Sequence, residues 1–402
     1  MLTRVSNLVS SRRRLLITFI SLGLVSLFAD MTYEGCRSVI GAYLEVLSAP
    51  VIAAGVVGIG EFVGYLMRGV GGFLASKLRS SRAYWSLILT GYLINLLAVP
   101  ALALVGNWYL ALTLVFIERV GKGLRTPARD VVLAEVTKPL GRGKGFGIHE
   151  FMDQVGAVSG PAIVASSMVL GHGLRYSFSI LALPAIASII SLVIAWRYYP
   201  RIEAAQESTT GGRLGRYFWF YLLMTSLLTL GFIHWSLVTY HVQLNSIVGT
   251  ALIPTMYLVA MLTDALVALP AGWFYDRLGI KSLIPTPLLA ALSTYLIVTS
   301  RTYYSLLIAS SLWGVVMGIF ETNLRVTIAD LTTPSNRAKA YGVFGMVFGA
   351  SWGLGNVIMS ILYSMSLSHV WLYSLITELV ALALLIKFIT SPDMKARKAL
   401  VI

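Results

Sequence analysis

Charged residues are scarce in this chain of 402 residues. Asp, Glu, Lys and Arg together make up 12% of the sequence, whereas hydrophobic residues make up 57%. A soluble domain is about a quarter charged, because water must solvate its surface. The composition therefore excludes a secreted or cytosolic globular enzyme and an intrinsically disordered chain. It predicts a protein whose main solvent is lipid.

Cysteine is almost absent, since Cys36 stands alone. One cysteine excludes an intrachain disulfide and a cysteine metal cluster. The sequence also lacks the G-x-x-x-x-G-K-[ST] motif of ATP-driven pumps and the D-x-x-x-D acid pair that could bind Mg²⁺ and diphosphate in a membrane-embedded transferase. We therefore expect no enzymatic activity, no cofactor and no bound metal.

Twelve apolar runs are long enough to cross a bilayer, which takes roughly 20 apolar helical residues. They cover residues 14–37, 51–76, 83–105, 108–130, 144–170, 174–197, 217–241, 247–274, 282–300, 303–329, 339–366 and 370–390. The first run follows three arginines, as in a signal peptide, but it is too long, carries acids and has no small-residue cleavage site. The sequence predicts an all-α membrane protein with twelve transmembrane helices.

The net charge of +14 comes from 31 basic residues, which this pattern of spans divides unevenly. Only Arg175 and Arg301 fall on the side opposite the N-terminus, and seven lie within spans. The other 22 share the side of the N-terminus: Arg4, Arg12, Arg13, Arg14, Lys77, Arg79, Arg82, Lys138, Arg142, Lys144, Arg197, Arg201, Arg213, Arg216, Arg277, Lys281, Arg337, Lys339, Lys387, Lys395, Arg397 and Lys398. Because Lys and Arg collect in cytoplasmic loops, we expect a multi-pass protein of the cell membrane with both termini in the cytoplasm, and no nucleic-acid partner.

An internal repeat divides the chain into an N-terminal half, 1–199, and a C-terminal half, 217–402. The polar segment 200–216 between them has the composition of a flexible cytoplasmic linker. Seven positions agree in residue type at a constant offset of 195, namely Glu135, Thr137, Pro139, Arg142, Lys144, Gly147 and Gly160 with Asp330, Thr332, Pro334, Arg337, Lys339, Gly342 and Gly355. Since each half has six spans, both enter the membrane from the same side. Parallel repeats of this kind enclose a binding cavity between the halves.

A loop signature follows the eighth span. It has the pattern G-x-x-x-D-R-x-G-x-K, with Gly272, Asp276, Arg277 and Gly279 at the defining positions. The equivalent loop after the second span keeps Gly72, but Ser76 replaces the acid and Arg79 replaces the second glycine.

Two further motifs lie inside spans. The fourth span contains Arg119-Val-Gly-Lys122-Gly, and the fifth contains G-x-x-x-G-P at Gly156, Gly160 and Pro161. Together with the loop signature, the topology and the repeat, these motifs resemble the major facilitator superfamily. Residues 118–130, ERVGKGLRTPARD, resemble a signature of its multidrug-like prokaryotic members.

This resemblance implies a cavity lined by the first, fourth, seventh and tenth spans. It implies a role in proton coupling for Arg119 and proton-linked export for the fifth-span motif. The loop acid helps to latch the halves in that superfamily, so Ser76 puts the N-terminal latch in doubt.

The first span carries three charged residues on one helix face, Asp30, Glu34 and Arg37. A charge in the middle of a bilayer costs about 2.5–3.5 kcal/mol on insertion scales. One interpretation is an internal salt-bridged stripe in which Glu34 and Arg37 neutralise each other. The other is that Asp30 carries protons, because burial favours the neutral carboxyl and a change of exposure would release the proton.

The fourth span carries a longer stripe, with Glu118, Lys122, Arg125 and Arg129 on one face and Arg119 beside it. Headgroup phosphates or the positive-inside bias would explain Arg125 and Arg129 near the cytoplasmic end. The other three lie deeper, where snorkelling is harder, and we expect them to be functional.

Other polar residues inside spans are Glu61, Arg68, His149, Glu150, Asp153, His234, Asp264, Glu321, Asn323, Arg325 and Asn356. The His-Glu-x-x-Asp cluster of the fifth span fits a divalent metal less well than ordinary placement of acids near a helix N-terminus. His234 is more often a packing residue than a proton relay.

The leading hypothesis is a monomeric secondary transporter that works by alternating access and exports a small organic solute in exchange for protons. Asp30, Glu118 and Arg119 would couple the protons. The cavity would be lined by Glu34, Arg37, Glu61, Lys122, Arg125, Asp153, His234, Glu321, Asn323 and Arg325. The alternative is import or exchange of an anionic metabolite, since Arg binds carboxylate and phosphate groups well. A structural or receptor role without transport stays open.

Overall fold

The computed structural model describes residues 2–78, 80–137, 141–199, 201 and 213–391. Side chains are described from residue 13 onward, except at 78, 142, 143, 334 and 335. Most of the predicted linker 200–216 lies outside the described residues, as do Arg79, Lys138, Pro139, Lys395, Arg397 and Lys398.

The described part of the chain is helical throughout, with short connections. The α-helices in chain order are α1 (Leu2–Arg37), α2 (Ile40–Val46), α3 (Val51–Val57), α4 (Ile59–Leu78), α5 (Ser81–Ala101), α6 (Trp108–Val136), α7 (Arg142–Val169), α8 (Leu174–Ile180), α9 (Ala182–Tyr198), α10 (Arg216–Leu230), α11 (Trp235–Leu244), α12 (Ile253–Leu278), α13 (Thr286–Thr299), α14 (Tyr303–Ile319), α15 (Arg325–Leu331), α16 (Pro334–Met365) and α17 (Leu367–Thr390).

All twelve predicted spans coincide with helical segments. Among the described residues, nine segments are long and apolar enough to cross a membrane by themselves. The other three predicted spans are α6 and α7, which carry several charged residues, and α13, an apolar helix of 14 residues. The twelve-helix, all-α membrane fold is confirmed.

Local sequence signals set several helix ends. The Asn107 side chain caps α6 by accepting a hydrogen bond from the amide of Leu110 at 2.9 Å. Thr302 and Ser305 form a capping box at the start of α14. Gly279, the last glycine of the loop signature, ends α12 with φ +58°, a conformation that favours glycine over residues with a side chain.

The chain forms two compact units. Unit 1 comprises Met1–Ser38 and Val63–Glu207, and unit 2 comprises Val39–Phe62 and Ser208–Ile402. Unit 1 contains α1, most of α4, and α5 to α9. Unit 2 contains α2, α3, the start of α4, and α10 to α17.

Residues 39–62 pack within unit 2. The Ser236 hydroxyl of α11 donates to the Ala54 carbonyl oxygen of α3 at 2.7 Å, and the Tyr240 hydroxyl donates to the Ala49 carbonyl oxygen at 2.7 Å. This segment follows the first predicted span and includes the start of the second, and it packs in the second unit. The division of the chain into repeat halves at 200–216 stays a prediction.

Two helix breaks correspond to each other in the two parts of the chain. One lies at Ser38 and Val39, directly after the first predicted span and between α1 and α2, and the other interrupts the seventh span at residues 231–234, between α10 and α11. Val39 and His234, the last residues of the two breaks, are 195 positions apart. The breaks therefore share the offset of the sequence repeat.

Candidate functional site

Each acidic residue of the first span pairs with another side chain of α1 inside unit 1. The Tyr33 hydroxyl donates a hydrogen bond to the Asp30 carboxylate, one turn earlier on α1. Arg37 Nη1 lies 2.9 Å from Glu34 Oε1. Tyr33 and Glu34 are buried, and Asp30 is half-buried. The structure thus forms the expected Glu34–Arg37 pair and leaves Asp30 to interact with other groups.

Glu118 of α6 is held by two neighbours. Its carboxylate lies 3.1 Å from Arg119 Nε, and its Oε1 accepts a hydrogen bond of 2.6 Å from the side-chain amide of Asn95 on α5. All three residues are buried. Because both the charge and the acceptor oxygens of Glu118 are satisfied, α5 and α6 can keep an ion pair inside the unit.

Lys122 and Arg125 lie on aromatic rings. The Lys122 Nζ atom is 3.6 Å from the ring centroid of Tyr33, and Arg125 Cζ is 3.8 Å from that of Tyr92. Lys122 also interacts electrostatically with Asp30 and Glu34. A cation over an aromatic face is stabilised by the ring quadrupole, and more strongly where water is excluded.

The headgroup explanation for Arg125 and Arg129 was wrong for Arg125, which is only 2% exposed. Its guanidinium packs between α5 and α6 and cannot reach a lipid headgroup from there. Arg129 is half-buried, with its Nη2 2.8 Å from Asp130 Oδ1 and its Nη1 donating to the Ser26 hydroxyl at 3.0 Å.

Ser26 and Arg129 belong to a polar network that joins three helices of unit 1. His149 Nε2 of α7 lies 3.1 Å from Ser26 Oγ of α1, 3.4 Å from Arg129 Nη1 of α6 and 3.8 Å from Asp153 Oδ1. Glu150, in contrast, is exposed. The His-Glu-x-x-Asp cluster is therefore divided between the two faces of α7. Within the described ranges, no group of three or more His, Cys, Asp or Glu side chains could hold a metal ion.

The fifth-span motif allows α7 to pack closely on α1. A Cβ atom on Gly156 would lie 2.3 Å from the Leu27 carbonyl oxygen and 2.9 Å from Asp30 Cβ, and one on Gly160 would lie 2.3 Å from the Met31 carbonyl oxygen. Only glycine fits at such contacts. Pro161 follows within the same helix. The motif thus brings the backbone of α7 against the turn of α1 that carries Asp30.

In unit 2, the predicted cavity residues of the tenth span lie on and beside a π-helical turn, Phe320–Leu324. Glu321 is half-buried, Asn323 is buried and donates to the Ser282 hydroxyl at 3.1 Å, and Arg325 is exposed. A π-turn adds a residue to the helix and often marks a functional segment.

His234 lies at the break of the seventh span. Its amide donates to Asn356 Oδ1 at 2.6 Å, and its ring Nδ1 accepts from the amide of Ser236 at 3.2 Å, so the ring caps α11. This arrangement agrees with a packing role. Glu61 also belongs to unit 2, because Gly349 of α16 packs on the backbone of α4 beside it.

The residues of the loop signature lie at the end of α12. Asp276 is exposed, and Arg277 Cζ lies 3.8 Å from the ring centroid of Trp273. Gly272 has open space around its Cα, while Gly72 in the degenerate loop faces Pro127 at an ordinary contact distance.

Sequence reasoning missed four participants. Tyr33, Ser26 and Asn95 are uncharged, and only the three-residue spacing of Tyr33 from Asp30 could have indicated its role. Glu378 is fully buried in α17. As the one acidic residue of the twelfth predicted span, it could have been found by the same cost argument that identified Asp30.

Comparison with known proteins agrees with the family resemblance seen in the sequence. The family model of the Major Facilitator Superfamily matches residues 22–255 and 243–400. An uncharacterised protein of Mycobacterium tuberculosis is 35% identical over 374 residues, which cover 90% of each chain. An uncharacterised MFS-type transporter of Methanocaldococcus jannaschii is 25% identical over 386 residues, covering 92% of this chain and 94% of that protein.

Solved transporter structures share the fold. A variant of the nucleoside transporter NupG matches with a TM-score of 0.76 at 15% identity, covering 92% of this chain and 99% of that one. A variant of the peptide transporter POT matches with a TM-score of 0.73 at 15% identity, covering 92% of this chain and 94% of that one. At these identities the likeness is one of fold.

Proposed function

Because the chain belongs to the major facilitator superfamily, we propose that this multi-pass membrane transporter exports a small organic solute in exchange for protons. The protein works by alternating access, as a monomer in the cell membrane with both termini in the cytoplasm. Asp30 carries the proton, and the Glu118–Arg119 pair responds to the change in the charge of Asp30.

One observation carries the proposal: a hydrogen-bond donor, a cation and a close helix crossing all lie next to Asp30. Tyr33 donates to it, Lys122 interacts with it electrostatically, and Gly156 packs beside its Cβ. Protonation removes the charge of Asp30 and with it the attraction for Lys122. The crossing of α1 and α7 lies at this residue, so a change in its charge acts where these helices can shift.

Lys122 links the acid to the rest of the cluster. Its ammonium group shares its surroundings with Asp30, Glu34 and the Tyr33 ring. When Asp30 becomes neutral, Glu34 on α1 is the acid of this group that still attracts Lys122. A solute that competes for these groups binds one protonation state better than the other, which is the differential affinity that coupling needs.

Flux measurements in proteoliposomes test the coupling. The purified protein is reconstituted, a pH gradient is imposed, and efflux of a panel of radiolabelled organic cations, anions and neutral compounds is followed. We expect at least one compound to move in wild type only with the gradient, and its gradient-driven flux to be lost in Asp30→Asn. Glu150→Gln, an exposed acid on α7, is the control. Gradient-independent transport, or equal coupling in Asp30→Asn, would contradict the proposal.

Arg125 supports the alternative, import or exchange of an anionic metabolite. Its guanidinium is buried on the Tyr92 ring, and its Nε makes no hydrogen bond to the described residues. A buried guanidinium with spare donor capacity suits a carboxylate or phosphate group. Anion binding that is lost in Arg125→Met, together with no gradient-driven efflux of organic cations in wild type, would favour this function over export.

A further inference from the structure

The break in the seventh span is built from backbone groups that other helices satisfy. The Trp313 indole of α14 donates to the Ile233 carbonyl oxygen at 2.9 Å, and the Trp352 indole of α16 donates to that of Phe232 at 2.9 Å. The Ser374 hydroxyl of α17 donates to the Gly231 carbonyl oxygen at 2.7 Å. Interrupted helices persist at membrane depth only where protein groups replace the lost hydrogen bonds. The break is therefore a defined element of unit 2.

Glu378 lies one helical turn after Ser374 and faces the same break. A Cβ atom on Gly231 would be 2.9 Å from Glu378 Oε1 and 3.1 Å from its Cδ, so the carboxyl rests directly against the backbone at the end of α10. Glu378 is 0% exposed, and neither carboxyl oxygen has a hydrogen-bond partner among the described residues.

No positive charge compensates this carboxyl within the described chain. The titratable or charged side chains of the break and of the helices that pack on α17 are Arg216, Tyr217, Tyr221, His234, Tyr295, Arg337, Lys339, Tyr341 and Tyr363. Among the described residues, Tyr373 on the same helix interacts electrostatically with Glu378. The adjacent C-terminal end of α10 carries partial negative charge, which disfavours an anion.

We propose that Glu378 binds a proton and that the protonated carboxyl keeps residues 231–234, the break of the seventh span, packed against α17. An ionised carboxylate without a partner is very costly in an apolar interior, so the group is neutral there and carries its proton. To release the proton, water must reach the carboxyl, and the packing of α10, α17 and residues 231–234 must loosen. The proposal goes beyond proton-coupled export through Asp30 and holds whether or not Asp30 carries protons.

Infrared spectroscopy of the full chain in lipid nanodiscs tests whether the proton is there. In the difference between wild type and Glu378→Gln at neutral pH, we expect loss of a C=O stretching band of a protonated carboxylic acid. Glu150→Gln, which removes an exposed acid, should leave that band unchanged. If Glu378→Gln removes only ionised carboxylate bands, Glu378 is charged and the proposal is overturned.

Hydrogen–deuterium exchange tests the link to the break. In wild type, the protection factor of the amides of residues 232–234 should fall with rising pH by up to about tenfold per pH unit, the slope for release of one proton. In Glu378→Gln it should stay constant, and in Asp30→Asn it should fall as in wild type. An equal pH dependence in Glu378→Gln would overturn the proposal. Glu378→Met, an apolar variant that needs no hydrogen bonds, repeats the test if the Gln variant folds poorly.

Discussion

The ammonium nitrogen of Lys122 lies 3.6 Å from the ring centroid of Tyr33, whose hydroxyl donates to Asp30. One tyrosine thus touches both the half-buried cation of the fourth span and the acid of the first span. Because of this contact, a change of charge on one helix affects the charged residue of the other. Neither residue type by itself predicts the contact.

A double-mutant cycle measures that dependence. We expect Lys122→Met and Tyr33→Leu to be coupled by about 0.5–2 kcal/mol in thermal unfolding, because either change removes the same cation–π contact. Tyr33→Phe keeps the ring and should therefore keep most of this coupling while losing the hydrogen bond to Asp30. Additive effects of Lys122→Met and Tyr33→Leu would contradict the contact.

The glycine motif of α7 should tolerate no methyl group where it meets α1. In Gly160→Ala, the new Cβ would lie 2.3 Å from the Met31 carbonyl oxygen, and we expect a loss of about 1–3 kcal/mol because backbone atoms must move. Gly147→Ala on the same helix has open space around it and is the matched control. Equal melting temperatures for the two variants would show that the crossing is not close-packed.

The tryptophans at the seventh-span break should be needed for their N–H groups. In Trp313→Phe, the Ile233 carbonyl oxygen loses its indole donor, at an expected cost of about 1–3 kcal/mol for an unsatisfied buried group. Trp219→Phe changes an indole that is 50% exposed and should cost far less. The unfolding temperatures of the two purified variants decide the question, and a similar loss in both would point to ring size as the cause.

The basic residues predict the orientation in the membrane. Cys36 is the only cysteine and is buried, so a Cys36→Ala background can carry single reporters at Lys144→Cys and Arg301→Cys, both exposed positions. A membrane-impermeant maleimide should label Arg301→Cys in intact cells and Lys144→Cys only after permeabilisation. The reverse pattern would place the termini outside the cytoplasm.

Much of the fold could be predicted because a bilayer imposes its requirement locally. Each span has to be apolar over its own length, so the runs at 83–105 or 370–390 are recognisable without knowledge of their neighbours. The break that follows the first span and the break within the seventh could not be recognised in this way. The carbonyl groups at 231–233 are satisfied by Trp313, Trp352 and Ser374, which are about 80 to 143 positions away.

The candidate site, too, could be predicted from the sequence only in part. The cost of a charge in lipid identified Asp30, Glu118, Arg119 and Lys122 from the sequence, but it says nothing about partners. A headgroup contact was one of the expectations for Arg125, which lies instead on the Tyr92 ring, because the packing of α5 on α6 decides which way that side chain can point.

The sequence by itself determined that this protein crosses the membrane twelve times and keeps a few charges in its spans, since both follow from the transfer of each residue between water and lipid. Only the tertiary structure decided which of those charges are neutralised and which, like Glu378, face a buried backbone without an ion-pair partner in the described chain. Pairing depends on distances between helices that are far apart in sequence, and no local pattern contains those distances.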